Sequence, residues 1–179
     1  MARRRMLQAF EAAKDLANYA DVPVMPIDVD PQITLARITE PQPFHLAFQE
    51  DTVIALMSGS ARVELRDTNV NSWSMIPGDH VYVPAGTPHR FVPAEECVYI
   101  RYIANEPYFR AAVFACAGCG AELDRLEWQQ DLEVEQIAIY AELARRFNED
   151  AARRTCAGCG AVAQEISLDR LGWQEPVAG

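Results

Sequence analysis

The twelve residues Gly78-Asp79-His80-Val81-Tyr82-Val83-Pro84-Ala85-Gly86-Thr87-Pro88-His89 constrain the fold more than any other stretch of this chain. Gly78-Asp79 carries turn chemistry, and the β-branched and aromatic run Val81-Tyr82-Val83 reads as a short strand. Pro84 has no N–H to give a sheet ladder, so it ends the pairing, and Gly86 permits the reversal that follows. The segment turns, runs, turns again and delivers a single histidine, His89, at a fixed place.

The rest of the chain supplies partners for that strand. Ile33–Thr39, bounded by Pro31 and by Pro41-Gln42-Pro43, predicts one strand, and Thr52 to Met57, apolar on both faces, predicts a doubly buried one. Ser58-Gly59-Ser60 turns into the alternating run Ala61 to Arg66, Ser72 to Ile76 pairs back, and Glu96 to Ile103 is the last strong strand. Ahead of them residues 3 to about 20 read as a helix, with Met6, Phe10, Ala13 and Ala17 on one face, until Pro23 and Pro26 stop it. Composition changes after Asn105-Glu106-Pro107. The expected division is therefore a lead-in over 1–28, a β-rich unit over 29–107 and a tail over 108–179.

The tail contains a repeat. Cys116-Ala117-Gly118-Cys119-Gly120-Ala121 recurs as Cys156-Ala157-Gly158-Cys159-Gly160-Ala161, and each copy is followed by Leu-Asp-Arg-Leu and a tryptophan, Trp128 or Trp173. A C-x2-C turn presents two sulfurs together, so two such turns supply the four soft ligands of a tetrahedral zinc or iron ion. Gly118, Gly120, Gly158 and Gly160 are expected to relieve crowding of the backbone there. A site closed by four thiolates leaves no position for substrate and is structural. Between the pairs, Leu132 to Phe147 reads as a helix burying Ile137, Tyr140, Leu143 and Ala144. Arg145, Arg146, Arg153 and Arg154 read as cations in and after its last turn. Cys97, outside the pairs, reads as a small core residue.

The pattern G-x5-P-x-G-x2-H, complete through His89, resembles the second motif of the cupin superfamily, with Pro93 where an asparagine usually follows. The resemblance implies a jelly-roll barrel in which His89 points inward and binds a metal. A cupin followed by two C-x2-C pairs around a helix is similar to the bacterial 3-hydroxyanthranilate 3,4-dioxygenases. The fold class expected is thus mainly β: a cupin barrel with an N-terminal helix and a small rubredoxin-like α/β metal-binding tail. The resemblance also implies a homodimer and a helix packed outside the barrel.

The first cupin motif fits less well. Its glutamate falls on Thr52, counting back from Gly59, and its histidine falls on Leu46, one position from His45. A strand alternates faces, so only a bulge between Phe44 and Thr52 would aim His45, with Glu50 or Asp51, at the cavity. Such a bulge would assemble His89, His45 and a carboxylate into the triad that Fe(II) or another divalent metal requires. The two arginines that hold a substrate carboxylate in that family fall on Pro41 or Gln42 and on Pro93, with Arg90 close by. The family's substrate-orienting glutamate falls on Arg101. An inward Arg101 favours an anionic group on the substrate; the alternative is an exposed residue paired with an acid. Tyr82 shares a strand face with His80, either lining the cavity or at an interface. Arg101 and Tyr82 are the candidate catalytic residues.

These readings imply a diverged cupin metalloenzyme acting on a small, polar, anionic aromatic or amino-acid-derived metabolite. Two alternatives stand beside it: a cupin without a barrel metal that binds a small molecule or partner, and a 3-hydroxyanthranilate dioxygenase with a shifted first motif. A net charge of -10 and pI near 4.7 argue against nucleic acid and anionic membranes as partners. Arg3-Arg4-Arg5 reads as a solvated helix end, with no apolar signal core behind it. Cysteines paired as C-x2-C in an acidic chain without a signal fit a reducing cytoplasm.

Overall fold

A computed structural model describes residues 6–106 and 108–173. Alternation of buried and exposed residues is clearest in the strand Ala61–Leu65, where Ala61, Val63 and Leu65 face in and Arg62 faces water. Among the described residues, eleven strands form two antiparallel sheets. In chain order they are β1 (Val22–Pro23), β2 (Gln32–Ile38), β3 (His45–Phe48), β4 (Thr52–Ser58), β5 (Ala61–Leu65), β6 (Ser72–Met75), β7 (His80–Val83), β8 (His89–Pro93), β9 (Cys97–Ile103), β10 (Phe109–Ala115) and β11 (Glu122–Gln129). One sheet has the order β1-β2-β9-β4-β7, the other β11-β10-β3-β8-β5-β6. The four-strand units β2-β9-β4-β7 and β3-β8-β5-β6 interleave along the chain as two Greek keys do. That is the eight-stranded jelly roll, the fold of the cupins.

The sheet does not stop at residue 107. β10 pairs with β3 from Arg110↔Phe48 to Val113↔His45, and β11 pairs with β10. The first cysteine pair therefore sits in the turn of a barrel hairpin. One apolar cluster runs from Ile38, Leu46, Val63 and Phe91 between the sheets to Tyr140, Phe147, Leu171 and Trp173 of the tail. Barrel and tail share a core.

The N-terminal helix is much shorter than the periodicity suggests. Among the described residues of that stretch only Ala9–Ala13, α1, is helical, and Arg3-Arg4-Arg5 lie outside the described residues. Beyond Lys14 the backbone turns to the sheet edge: Asn18 bridges Arg37, and the Tyr19 N–H donates to the Arg37 carbonyl. Sheet pairing outcompetes the modest propensity of an isolated helix. In the tail, α2 (Gln136–Glu149) buries Tyr140, Leu143 and Ala144 as expected and leaves Ile137 half-buried. Two short helices follow, α3 (Ala151–Arg154) and α4 (Leu168–Leu171).

Trp173 fastens the tail to the N-terminal segment. It is 1% exposed, packs on Tyr19, Phe44 and Tyr140, and donates its indole N–H to the Asn18 carbonyl at 2.7 Å. Trp173→Ala is expected to cost about 3–5 kcal/mol, through the cavity and the unpaired Asn18 carbonyl. Urea unfolding monitored by circular dichroism checks it; a loss below about 1 kcal/mol would contradict this packing role.

Candidate functional site

Two clusters of chemistry-bearing residues stand out, one between the sheets and one at the tail. In the barrel, Leu46 and Leu65 lie opposite His89, so His89 shares their inward face, and its ring is fully buried. Arg101 lies in β9 between inward Tyr99 and Ile103, opposite Thr34 and Ile54, and is 1% exposed. The two side chains meet: Arg101 Nη1 is 2.8 Å from His89 Nε2. A guanidinium can only donate, so His89 Nε2 accepts, and the ring proton sits on Nδ1, 3.2 Å from the Thr87 carbonyl. Burial, then the Arg101 charge, hold the imidazole well below its ordinary pKa. His89 is neutral.

The Arg101 charge is answered by Asp21, whose Oδ1 lies 3.8 Å from Nε and accepts hydrogen bonds from Tyr99 at 3.1 Å and Thr34 at 3.3 Å. Burial alone would ease the proton off Arg101, but the Asp21 carboxylate prevails and raises its pKa. Arg110 forms a second buried pair with Glu50 at 2.7 Å. Both guanidiniums stack on Phe48, at 4.9 Å and 4.0 Å from the ring centroid, and His89 meets the same ring edge-on. Arg101 Nε and Nη2 and Arg110 Nε are buried without hydrogen-bond partners.

The other candidates do not join His89. β3 pairs with β10 in unbroken register, and the strand irregularities lie elsewhere, at Leu56/Ser58 and Phe114/Ala115. Without a bulge, His45 faces away from His89, on the sheet face shared with Ala47, Ala111 and Val113. Glu50 is consumed by Arg110, and Asp51 is exposed, accepting from the Ala85 N–H at 2.8 Å. Tyr82 and His80 are exposed on the outer face of β7, whose inward residues are Val81 and Val83. Arg90 pairs with Glu64 at 2.7 Å and Arg62 shares that acid. Gln42 is buried with its Nε2 unpartnered. Of the sequence candidates, only Arg101 is drawn to His89. Asp21, Arg110 and Phe48 escaped the sequence reading; none lies in a motif, and Asp21 belongs to a stretch that reads as post-helix linker.

A divalent cation does not fit these donors. The one inward histidine has its lone pair engaged by Arg101, no second histidine faces it, and two guanidiniums oppose a positive ion. Among the described residues, the only group of three or more metal-capable side chains is the four cysteines.

There the fit is good. The four sulfurs lie within 4.8 Å of one another, with Cys116–Cys159 at 3.6 Å and Cys119–Cys156 at 3.5 Å. A tetrahedron of sulfurs about 2.3 Å from its centre has edges of roughly 3.8 Å. Both knuckles carry the same hydrogen bonds: Cys116 N–H to Ala121 and Gly120 N–H to Cys116, repeated as Cys156 to Ala161 and Gly160 to Cys156, all at 2.8 Å. Gly120 and Gly160, at φ 75° and 74°, are where the turn needs a left-handed residue. A Cβ on Gly118 or Gly158 would make only ordinary contacts near 3.8 Å, so those two glycines relieve no crowding. Backbone N–H groups of Cys119 and Gly118 hold Cys116 below its ordinary pKa, and those of Cys159 and Gly158 bring Cys156 to about 7. At Cys159 the Ala161 N–H pulls the same way, but the three neighbouring sulfurs prevail and push it up to about 12. Sulfurs this crowded can all be thiolates only around a cation. Arg153 pairs with Asp124 of β11 at 2.7 Å, Arg154 with Glu165 at 3.2 Å, and Arg66 of the barrel donates to the Gly120 carbonyl. Cys97 is a core residue, its thiol pushed up to about 11 by burial.

Cys156→Ser is expected to release the ion and loosen the second knuckle while β1–β9 stay paired. Metal analysis per chain checks this, and an unchanged stoichiometry would contradict four-thiolate binding. A second expectation concerns acid. Burial, then the Arg90 and Arg66 charges, lower His45 to about 4, whereas an unfolded histidine protonates near ~6.5. Between those values the unfolded chain binds more protons, so stability falls as pH drops from about 6.5 towards 4. His45→Gln should flatten that part of the stability profile relative to the parent protein; an unchanged slope would contradict a neutral, buried His45.

No known protein family matches the sequence, and no curated protein does. Among solved structures, the chain is similar to a hydroquinone 1,2-dioxygenase from Sphingomonas sp. TTNP3 crystallised with 4-hydroxybenzoate, at 17% identity over 52% of this chain and 70% of that one, TM-score 0.47. It is also similar to a hydroquinone 1,2-dioxygenase in complex with Cd2+ and 4-hydroxybenzonitrile, at 17% identity over 60% and 82%, TM-score 0.49. A cupin-2 domain protein from Shewanella frigidimarina gives 20% identity over 49% and 83%, TM-score 0.40. The strand order, rather than these distant likenesses, carries the conclusion that the chain has the cupin jelly-roll fold.

Proposed function

We propose that this is a small-molecule-binding cupin whose barrel works without a metal and whose ligand is anionic. The observation that carries the reading is the Arg101–His89 contact at 2.8 Å, which engages the histidine lone pair a metal would need. Arg101 Nη2 makes no hydrogen bond and Nε only faces Asp21 at 3.8 Å, so the guanidinium keeps donor capacity suited to a carboxylate. Phe48, stacked with both guanidiniums, offers an apolar surface beside that charge. The four-cysteine ion, zinc or iron, has a structural role in this reading, tying the barrel hairpin to the C-terminal segment. The dioxygenase-type reading has less support, since its triad requires His45 and a free carboxylate on the inward face.

Metal analysis tests the proposal. One ion per chain is expected, retained in His89→Ala and lost in Cys156→Ser; a second ion that disappears in His89→Ala would overturn it. Fe(II)-supplied protein should also leave 3-hydroxyanthranilate intact under oxygen. Benzoate is expected to raise the melting temperature of the parent protein but not that of Arg101→Gln, whose partner Asp21 is best changed to Asn alongside it.

We also propose a homodimer, supported by Met6 just ahead of α1 and Phe10 within it, which stand 74% and 52% exposed. Light scattering is expected to give about twice the 20.0 kDa chain mass at micromolar concentration; the monomer mass would contradict it.

A further inference from the structure

Gly118 and Gly158 are the middle residues of the two knuckles, and nothing in the fold requires glycine there. Neither has a positive φ, and a Cβ would meet nothing closer than 3.8 Å. Each such Cβ would border two sulfurs, the first cysteine of its own knuckle and the second of the other. Cys159 Sγ lies 3.8 Å from the Cβ position on Gly118, and Cys119 Sγ lies 3.9 Å from that on Gly158. Cys119 and Cys159 are the exposed pair, whereas Cys116 and Cys156 are 5% and 2% exposed. An alanine in either place would set a methyl group against an outer sulfur. Glycine leaves that approach open.

The sulfur contacts supply the second, independent observation. Cys119–Cys156 at 3.5 Å and Cys116–Cys159 at 3.6 Å both run between the knuckles, and each joins an exposed sulfur to a buried one. An outer sulfur that is oxidised therefore has an inner sulfur of the other knuckle already against it. Contacts that use no ion also hold the knuckles in place. Arg153 of α3 pairs with Asp124 of β11, and Arg66 donates to the Gly120 carbonyl. Thiolates are the sulfur species that peroxides oxidise, and their susceptibility rises with exposure. Cys97, the remaining thiol, is fully buried in the core and out of reach.

We propose that the four-cysteine site is a peroxide-responsive switch that exchanges its ion for two disulfides between the knuckles, Cys119–Cys156 and Cys116–Cys159. Gly118 and Gly158 keep the outer sulfurs open to the oxidant. The switch rests on the four-thiolate reading of the site and is independent of the barrel ligand. An outer thiolate attacks a peroxide oxygen, so that an S–O bond forms, the O–O bond breaks and the departing hydroxide takes a proton to become water. The inner thiolate of the other knuckle then attacks that sulfur. An S–S bond forms, the S–O bond breaks and a second hydroxide leaves as water. Each disulfide thus takes two electrons from two thiolates and reduces one peroxide to two waters. An ion deprived of two ligands is released. Both disulfides join the β10–β11 turn to the segment after α3, so the tie between barrel and tail outlasts the ion.

Hydrogen peroxide added to the zinc-loaded full chain tests the proposal, with released zinc followed by a chromogenic chelator and disulfides mapped on unreduced peptides. The zinc is expected to leave as free thiols fall from five to one, the survivor being Cys97. The mapped bonds should be Cys119–Cys156 and Cys116–Cys159, and dithiothreitol with zinc should restore the starting state. The double variant Gly118→Ala/Gly158→Ala should hold zinc as the parent does and release it several-fold more slowly. Disulfides within a knuckle, overoxidised cysteines in place of disulfides, or an unchanged release rate in the double glycine variant would overturn the switch. Zinc content before the oxidant separates the two readings. A chain holding no zinc overturns the four-thiolate site and the switch with it, whereas zinc that is held and then retained under peroxide overturns the switch alone.

Discussion

A guanidinium sealed between two sheets has no water to solvate it, so every neighbour must be chosen to answer its charge, and the barrel is arranged around that demand. Arg101 donates to His89, which must therefore stay neutral, and faces the Asp21 carboxyl group at 3.8 Å. Asp21 reaches the barrel because the lead-in crosses the sheet edge with Tyr19 and Asp21 in left-handed conformations. Removing one member of such a pair costs more than the pair contributes, because the survivor is left charged and dry. The short α1, the edge pairing of Asn18 with Arg37 and the anchoring of Trp173 on Asn18 all hold that segment in place.

The same contact defines the chemistry available. A histidine in a jelly roll is a metal ligand only if its lone pair is free and its neighbours are negative or neutral. Here the lone pair is engaged by one cation, and a second cation stacks on the same Phe48 ring. The polarity of the site is inverted relative to a metal centre: the barrel presents donors where a metal site presents acceptors.

The strands were legible because alternation and turn residues are local signals, and six of the central eight stand within a few residues of where the sequence puts them. β3 was missed because His45-Leu46-Ala47-Phe48 is buried on both faces and has no alternation to show. β10 was missed for the same reason, and with it the continuity of sheet past residue 107. Cysteine spacing located the thiolate cluster, since a C-x2-C knuckle is specified by its own turn. The face of His45 depended on register with β10, which no local pattern encodes. Leu-Asp-Arg-Leu makes the point most directly. At Leu123 to Leu126 it is strand, at Leu168 to Leu171 it is helix, although each copy follows an identical knuckle. Four residues after the first knuckle the chain has β10 to pair with; after the second no strand is at hand, and Ser167 caps a turn of helix instead. The two tryptophans nonetheless converge, Trp128 and Trp173 both resting on the Tyr140 ring.

The position of the knuckles also sets an order of events during synthesis. The first pair of thiols lies in the β10–β11 hairpin turn, so the jelly roll can close and leave Cys116 and Cys119 side by side as soon as Gln129 has been made. Their two partners come only with residue 159, beyond α2, which packs on Phe114 and Phe44 through Phe147 and Tyr140. A chain cut off at that point has all its strands and one pair of thiols, but lacks the part of the shared core that Tyr140, Phe147, Leu171 and Trp173 supply. An ion held by all four sulfurs would join the barrel hairpin to the segment that follows α2.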